Sequence, residues 1–278
     1  MRWQGRALGR RLLDGSFMVV IGVFALAPIV WGLSTSLKPA NEILRLPPEI
    51  IPSTPTLDHY RFILETGILK YVLNSVVVSV GAVSLCVVIG VLAAYGLSRF
   101  RPPGHRTIEF IVVAVMSVPL ASLIVPTFTF FAQIGLTNSL LGLVLLYSAY
   151  QLPMTVWILK GYFETLPPEL EKAAMIDGYS RLAILVKIVL PLSSPALVAS
   201  GLFVLTFAWN DFVVAVAMIS SDDVRTLPVA IYNYLGFFGR EWGPLTASAM
   251  VATVPVILVF VAFQRFFLSG LTGGGVKG

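Results

Sequence analysis

The chain has 278 residues, of which 57% are hydrophobic and only 12% are charged, and its mean hydropathy is +0.88. Soluble domains carry about 25% charged residues, so this composition excludes a soluble globular enzyme and indicates an integral membrane protein in contact with lipid. The net charge of +5 comes without a basic patch interleaved with aromatic side chains, and no nucleic-acid partner is expected.

Six apolar runs follow one another along the chain, and each is close to the roughly 20 residues that a helix needs to cross a bilayer. We predict spans at 15–37, 71–97, 107–131, 140–159, 188–219 and 244–267. They form one transmembrane domain over 15–267, between an N-terminal segment 1–14 and a tail 268–278. The first run contains Trp31 and has no clean small-residue cleavage site, so it is expected to stay as an anchor.

Prolines are frequent both between the spans and within them. Residues 38–70 contain five prolines and are expected to form an extended loop, with a short surface helix at 57–69 as the alternative. Inside spans, neighbouring helices and polar side chains can satisfy the backbone groups that a proline frees. Pro119, Pro153 and Pro195 therefore suit a bundle that moves, although prolines are also common in membrane helices generally.

Basic residues are divided unequally between the two sides of the predicted bundle. Thirteen of the 19 lysines and arginines fall on the side that carries both chain termini and the 160–187 loop. Cytoplasmic loops carry the excess of basic residues in membrane proteins. We therefore predict that both termini and the 160–187 loop are cytoplasmic.

A polar stretch within the 160–187 loop has the features of a short helix. Pro167 and Pro168 suit its first turn, where a missing N–H costs nothing, and the acidic residues that follow suit a positive helix end. Gly178 is placed to end the helix in a left-handed turn. We predict about two or three turns of helix, with the small residues Ala173 and Ala174 on its surface so that another surface can approach closely.

The spacing in this stretch resembles the EAA signature of permease subunits of bacterial ABC importers, which reads E-A-A, three residues, G, nine residues, I-x-L-P. The positions that fall in register are Ala173, Ala174, Gly178, Ile188, Leu190 and Pro191. The chain departs from the signature at its first position, where Lys172 replaces the glutamate and Glu171 lies one place earlier. The alternative is an ordinary cytoplasmic loop helix without a partner.

Further segments are similar to the MalG-type permeases of carbohydrate importers. They are Ser36-Leu-Lys-Pro39, Asn74-Ser75, Ala93-Ala-Tyr95, Phe207-Ala-Trp-Asn-Asp211 and the ending 270–278. This resemblance implies an all-α, six-transmembrane-helix ABC type I importer permease (MetI-like) in the bacterial cytoplasmic (inner) membrane. It also implies three partners: a second, MalF-like permease, an ATPase subunit homodimer that binds ATP and Mg, and an extracytoplasmic sugar-binding protein.

The resemblance also implies which residues carry the function. The loop helix would dock into the ATPase, and the residues expected to couple the two are Glu169, Glu171, Lys172, Ala173, Ala174, Asp177, Gly178 and Pro191. The loop 224–242 resembles the segment that reaches into the binding protein, although an interfacial aromatic belt is the alternative. The contacts expected there are Tyr232, Asn233, Tyr234, Phe237 and Phe238.

The chain itself offers no site for catalysis, metal or cofactor. No P-loop sequence is present, and His59 and His105 lack metal-ligand partners at useful spacing, so both are expected to be solvated loop residues. Asn210 and Asp211 either line a substrate path or cap the end of the fifth span. Cys86 lies in an apolar run and is expected to be a buried thiol.

The function predicted from the sequence is therefore ATP-driven import of a sugar, a di- or oligosaccharide, by a non-catalytic subunit. An importer of another polar solute, such as glycerol phosphate, is the nearest alternative. A secondary transporter that works alone is disfavoured, because such proteins need buried charged groups for ion coupling.

Overall fold

The computed structural model describes the backbone of residues 2–236 and 241–273 and the side chains of residues 15–236 and 241–264. Within these residues the chain is helical and contains no β-strand. Its α-helices are α1 (Arg2–Ser36), α2 (Ala40–Ile43), α3 (Asp58–Glu65), α4 (Ile68–Tyr95), α5 (His105–Met116), α6 (Leu120–Gln133), α7 (Leu140–Thr165), α8 (Pro168–Ile176), α9 (Arg181–Ile184), α10 (Leu190–Leu192), α11 (Ser194–Asn210), α12 (Val213–Met218), α13 (Leu227–Tyr232) and α14 (Trp242–Gly273).

Shorter helical turns continue or connect these elements. The π-helix Gly96–Phe100 continues α4, and a second π-helix, Leu185–Val189, joins α9 to α10. Turns of 3₁₀-helix lie at Asp222–Val224 and Asn233–Leu235. The last helix runs to Gly273, so the tail predicted to begin at 268 starts inside α14.

Four single helices are long and apolar enough to cross a membrane: Gly15–Ser36, Ile68–Phe100, Leu140–Thr165 and Trp242–Gln264. Two bent pairs raise the number to six if each pair is one span. The described residues thus give the all-α membrane architecture that the sequence predicts, with four to six apolar spans.

The third and fifth predicted spans are each formed by two helices that meet at a sharp bend. Helices α5 and α6 meet at 100°, and the segment Arg181–Leu192 meets α11 at 80°. The first break lies at Pro119, because a proline disfavours helical backbone at the residue before it. The second break lies at Ser193, because the ring of Pro195 would clash with the carbonyl of Pro191, four residues earlier, in a continuous helix.

The contacts of the chain divide it into two compact units, residues 1–68 with 230–255, and residues 69–229 with 256–278. In the first unit, α3 lies where the sequence allowed a short surface helix. His59 is not a free loop residue there: it is half-buried in α3, and its Nε2 lies 2.9 Å from the carbonyl oxygen of Lys38. Its ring also lies so close to Gly243 that a side chain at that position would collide with it.

The second unit is organised around α7, which contributes to two apolar clusters. One cluster joins Leu143 and Tyr147 of α7 to buried residues of α4, α11 and α12. The other joins Leu159 and Phe163, nearer the end of α7, to the C-terminal end of α4 and to the segment that follows α8. Cys86 lies in the first cluster and its thiol donates to the carbonyl oxygen of Ser148 at 3.3 Å, which confirms the buried thiol.

Close approach of α4 to α7 depends on glycines of α4. A side chain on Gly81 would collide with Val144, and one on Gly90 would collide with Thr155. Small residues at such positions let membrane helices pack at short distance, where van der Waals contact and not the hydrophobic effect holds them together. The pairing of α4 with α7 places the end of α4 beside the loop that contains α8.

Candidate coupling site

The helix α8 has the start and the stop that its sequence predicts. Pro168 occupies the first turn, and the helix ends at Ile176. Beyond it, the N–H of Gly178 donates to the carbonyl of Met175 at 3.1 Å and that of Tyr179 to the carbonyl of Ala174 at 3.0 Å. This is a Schellman motif, and Gly178 takes the left-handed conformation that it requires, with φ of +85°.

The side chains of α8 divide into an inner and an outer face. Glu171 and Ala174 are buried, with exposed fractions of 4% and 5%. The prediction that Ala174 lies on the surface is therefore wrong, because it packs into the apolar cluster formed with Leu159 and Phe163 of α7. The expected coupling residues that are exposed are Glu169, Lys172, Ala173, Asp177, Gly178 and, further along the chain, Pro191.

The buried carboxylate of Glu171 is fully partnered within the chain. One oxygen accepts from Nε of Arg99 at 2.5 Å, and the other accepts from the hydroxyl of Tyr95 at 2.8 Å. Arg99 and Glu171 are 72 residues apart in sequence, so no local spacing predicts the pair, and the sequence identified Arg99 only as one of the basic residues on the predicted cytoplasmic side.

The segment after Gly178 connects α8 to the fifth span. The hydroxyl of Ser180 caps α9 by accepting from the N–H of Ala183 at 3.3 Å. Pro191 lies in α10, just before the 80° bend, and is exposed. The structure thus places Pro191 at the entry to α11, separated in sequence from the exposed face of α8.

Exposed apolar side chains stand out on this otherwise polar segment. Ile176 is 88% exposed, and Leu170, Tyr179 and Leu182 are exposed as well. Charged residues surround them, among them Lys172. Exposed apolar side chains interspersed with charged ones are suited to contact with another protein. We call Leu170, Ile176, Tyr179 and Leu182 the α8 surface.

The residues expected to contact a binding protein are only partly available. Tyr232 is 54% exposed and Asn233 is exposed. Tyr234 is half-buried, with its hydroxyl 3.2 Å from Oγ1 of Thr66 and its ring 6.4 Å from that of Phe62. Phe237 and Phe238 lie outside the described residues.

Asn210 and Asp211, the expected substrate-path residues, point in different directions. Oδ2 of Asp211 accepts from the hydroxyl of Tyr147 at 2.8 Å and from the N–H groups of Val214 and Ala215 at 3.1 and 3.0 Å. Asp211 therefore caps the start of α12, and not the end of the fifth span as the sequence analysis allowed. Asn210 is exposed and donates from Nδ2 to the carbonyl of Thr206 at 2.8 Å.

A charged cluster holds the segment 220–227 against the start of α4. The carboxylate of Asp222 accepts from Nζ of Lys70 at 2.7 Å and from the hydroxyl of Tyr71 at 2.7 Å. These hydrogen bonds, led by the one from Lys70, hold the pKa of Asp222 below its ordinary value. Asn74 adds bonds of 2.9 Å from Nδ2 to two carbonyls of the same segment, which gives the Asn74-Ser75 pair a structural role.

Metal binding has no support in the part of the chain that the structure describes, since it contains no group of three or more His, Cys, Asp or Glu side chains arranged around a common point. What the described geometry offers instead is a mechanical connection. An exposed α8 surface is joined through Glu171 to α4 and through Gly178 to α9.

Comparisons with known proteins show the family to which the chain belongs. Residues 86–272 match the family described as binding-protein-dependent transport system inner membrane component. The chain is 37% identical over 269 residues to the sulfoquinovosyl glycerol transport system permease protein of Agrobacterium fabrum, covering 96% of this chain and 93% of the relative. It is 34% identical over 264 residues to the trehalose/maltose transport system permease protein of Thermococcus litoralis, covering 94% of each.

A solved structure has the same fold. It is the crystal structure of a bacterial ABC transporter involved in the import of the acidic polysaccharide alginate. The match has a TM-score of 0.83 at 22% identity and covers 94% of this chain and 97% of the other. At that identity the likeness establishes the fold alone.

Proposed function

This chain belongs to the family of binding-protein-dependent transport system inner membrane components, and from that premise we propose that it is the permease subunit that admits a carbohydrate through the inner membrane. The names of its relatives support the substrate class. A sugar joined to glycerol and the disaccharides trehalose and maltose share rings rich in hydroxyl groups. We therefore propose a small glycoside, of two or a few units, as the cargo.

The observation that carries the coupling role is the α8 surface. An apolar side chain as exposed as Ile176, in a helix between two membrane spans, has no stabilising role within the chain itself. We propose that a separate ATPase subunit covers it, with Glu169, Lys172, Ala173 and Asp177 at its edge. Glu171 and Ala174 act from inside the chain, and Gly178 and Pro191 set the course of the backbone.

The energy for transport comes from that partner in this account. Two ATPase copies would bind ATP and Mg and close on each other, carrying α8 with them. A second permease of the same architecture would complete the path, and an extracytoplasmic sugar-binding protein would deliver the carbohydrate. Tyr232 and Asn233, both exposed, are the described residues that we propose as contacts for that protein.

Asn210 is our proposed substrate-path residue in the described part of the fifth span. Polar side chains on a membrane helix face the bundle interior or a water-filled cavity far more often than lipid. Asn210 is exposed on the isolated chain, whereas Asp211 has its carboxylate committed to α12. An amide is also suited to carbohydrate, because it both donates and accepts hydrogen bonds.

Affinity purification of the tagged chain from its native membrane tests the proposal. We expect an ATPase and a second permease to come with it, and ATP-dependent uptake of carbohydrate by the reconstituted complex in the presence of its binding protein. A chain that purifies alone and transports solute in vesicles without ATP would refute the proposal and indicate a secondary carrier.

A further inference from the structure

One guanidinium group joins the end of α4 to two consecutive segments, the end of α7 and the start of α8, which lie 64 to 72 residues away in the sequence. Arg99 lies in the π-helix that continues α4. Its Nε donates to Glu171 in the first turn of α8 at 2.5 Å. Its Nη2 donates to the carbonyls of Phe163 and Leu166 at the end of α7, at 2.7 and 3.1 Å. Together with Tyr95, we call Arg99 and Glu171 the Arg99 clamp.

The clamp is shielded from water, unlike most of the ion pairs in the described residues. The side chains of Arg99 and Glu171 are 12% and 5% exposed, whereas those of the Arg61–Asp58 pair are 75% and 73% exposed. Charge-assisted hydrogen bonds in such surroundings are short and directional. The planar guanidinium fixes the direction of the Glu171 side chain as well as its distance.

Apolar packing alone attaches α8 only weakly to the bundle. The buried residues of α8 are Glu171 and Ala174, and Ala174 contributes a single methyl group. Met175, partly buried, is the further apolar side chain of α8 that packs against the cluster of Leu159 and Phe163. The other attachment of α8 is its backbone connection, through Leu166 to α7 and through Gly178 to α9. Leu166 is itself held by Arg99, so the N-terminal end of α8 depends on the clamp twice.

We propose that Arg99 is a positioning residue for energy coupling: through Glu171 it makes the cytoplasmic end of α4 follow α8 when the ATPase moves that helix. This inference rests on the proposed function, because it assumes that α8 is driven by an ATPase. Helices α4 and α7 would then shift as one body with α8. Without the clamp, α8 would move with the ATPase while α4 lags behind.

The test must separate transmission from folding, and the chemistry of buried ion pairs allows this. Removing one partner leaves an uncompensated charge, which harms folding, whereas replacing both by apolar residues of similar size is often neutral for stability. The decisive variant is therefore the double substitution Arg99→Met with Glu171→Met. Glu171→Gln is the milder companion, since it keeps the shape and a hydrogen-bonding group but loses the charge.

The measurements are made on the complex reconstituted with its ATPase, its second permease and its binding protein. They are the recovery of ATPase with the tagged chain, the thermal midpoint, the rate of ATP hydrolysis and the carbohydrate taken up per ATP hydrolysed. The matched control is Glu164→Gln, which breaks a 2.8 Å ion pair with Lys160 inside α7 and leaves Lys160 its second partner, Glu109.

We expect the double variant to assemble, with its thermal midpoint lowered by a few degrees because the hydroxyl of Tyr95 and the carbonyls of Phe163 and Leu166 lose partners. ATP hydrolysis should be retained within about twofold, but uptake per ATP should be reduced about tenfold. Glu171→Gln should reduce the uptake per ATP by less than the double variant does. Arg99→Lys should give a reduction between those two, because lysine keeps the positive charge but not the planar fork of donors. The control should keep the wild-type ratio.

Two results would overturn the inference. One is a double variant with wild-type uptake per ATP, which would reduce the clamp to a packing element. The other is a double variant that does not assemble, which would assign the clamp to folding. Failure of the wild-type complex to couple uptake to ATP would instead reject the proposed function, so the two failures are distinguishable.

Discussion

Gly178 shows how a single residue sets the course of the candidate coupling site. An added Cβ there would meet no atom within 4 Å, so steric crowding does not explain the glycine. Its φ of +85° does, because residues other than glycine pay about 1–2 kcal/mol for left-handed backbone. The glycine allows the chain to leave α8 in the direction of α9, and this could be predicted from the sequence because the helix stop is local.

We predict that Gly178→Val reduces ATP-driven uptake several-fold while membrane insertion is unchanged. Valine is β-branched and suffers most in left-handed backbone, whereas Gly178→Asn should retain most of the activity because asparagine tolerates it. Uptake assays on cells with matched amounts of the chain in the membrane measure the effect. Equal uptake by the valine and asparagine variants would contradict the backbone explanation.

Asp211 is a structural residue in this account and Asn210 is not. We predict that Asp211→Ala destabilises the purified complex by about 2 kcal/mol, because α12 loses its cap and the buried hydroxyl of Tyr147 loses its acceptor. Asn210→Ala should leave the thermal midpoint unchanged and reduce uptake. Thermal unfolding in detergent distinguishes the two, and equal midpoints for both variants would show that the assignment is wrong.

At the level of elements, the sequence predicts where helices lie better than where they bend. Pro28, Pro153 and Pro255 are accommodated inside continuous helices, but the chain breaks before Pro195 and at Pro119. Whether the carbonyl group that a proline leaves without a helical hydrogen bond finds another partner depends on the neighbouring helices, which are known only from the folded structure. The Arg99–Glu171 pair was beyond sequence reasoning for the same reason, since it joins elements that meet only in the folded chain.

The segment 220–227 is an element whose attachment should depend on pH. The pKa of Asp222 is held below its ordinary value, so its pairing with Lys70 contributes fully above that ordinary value of about 3.9 and is lost as the pH falls through the lowered pKa. An exposed pair of this kind contributes little to stability. Between pH 5 and pH 8 the attachment should be constant.

Asp222→Asn tests this attachment, because it removes the charge at every pH. We predict faster hydrogen exchange at the backbone of residues 220–227 in the variant at pH 7, by about fivefold or less, with no change in the rest of α4. Exchange rates corrected for intrinsic pH dependence make the comparison. Protection identical to that of the wild type would mean that Asn74 and Ser75 hold the segment without Asp222.

At the scale of the whole molecule, the first span has an apolar surface that the chain itself does not cover. None of the most apolar window of the span Gly15–Ser36 is buried within the chain, and the large apolar side chains along it are exposed. In a membrane such a helix is covered by lipid or by another protein. Composition and hydropathy are sufficient to predict the membrane architecture, because the length of an apolar span is set by the bilayer thickness and not by tertiary contacts.

The distribution of basic residues predicts that the 160–187 loop faces the cytoplasm. The α8 surface must lie on that cytoplasmic side if an ATPase is to reach it. Ile176 is the residue whose exposure most directly represents that contact. Replacing it with aspartate should leave the chain folded, since its side chain has almost no contacts within the chain to lose.

The most direct test is uptake by proteoliposomes that contain the co-purified complex, with ATP enclosed and radiolabelled carbohydrate and binding protein outside. We predict uptake that requires both ATP and the binding protein and that falls at least tenfold in Ile176→Asp. Uptake by the chain alone without ATP, or full uptake by Ile176→Asp, would contradict the conclusion that α8 couples this permease to an ATPase.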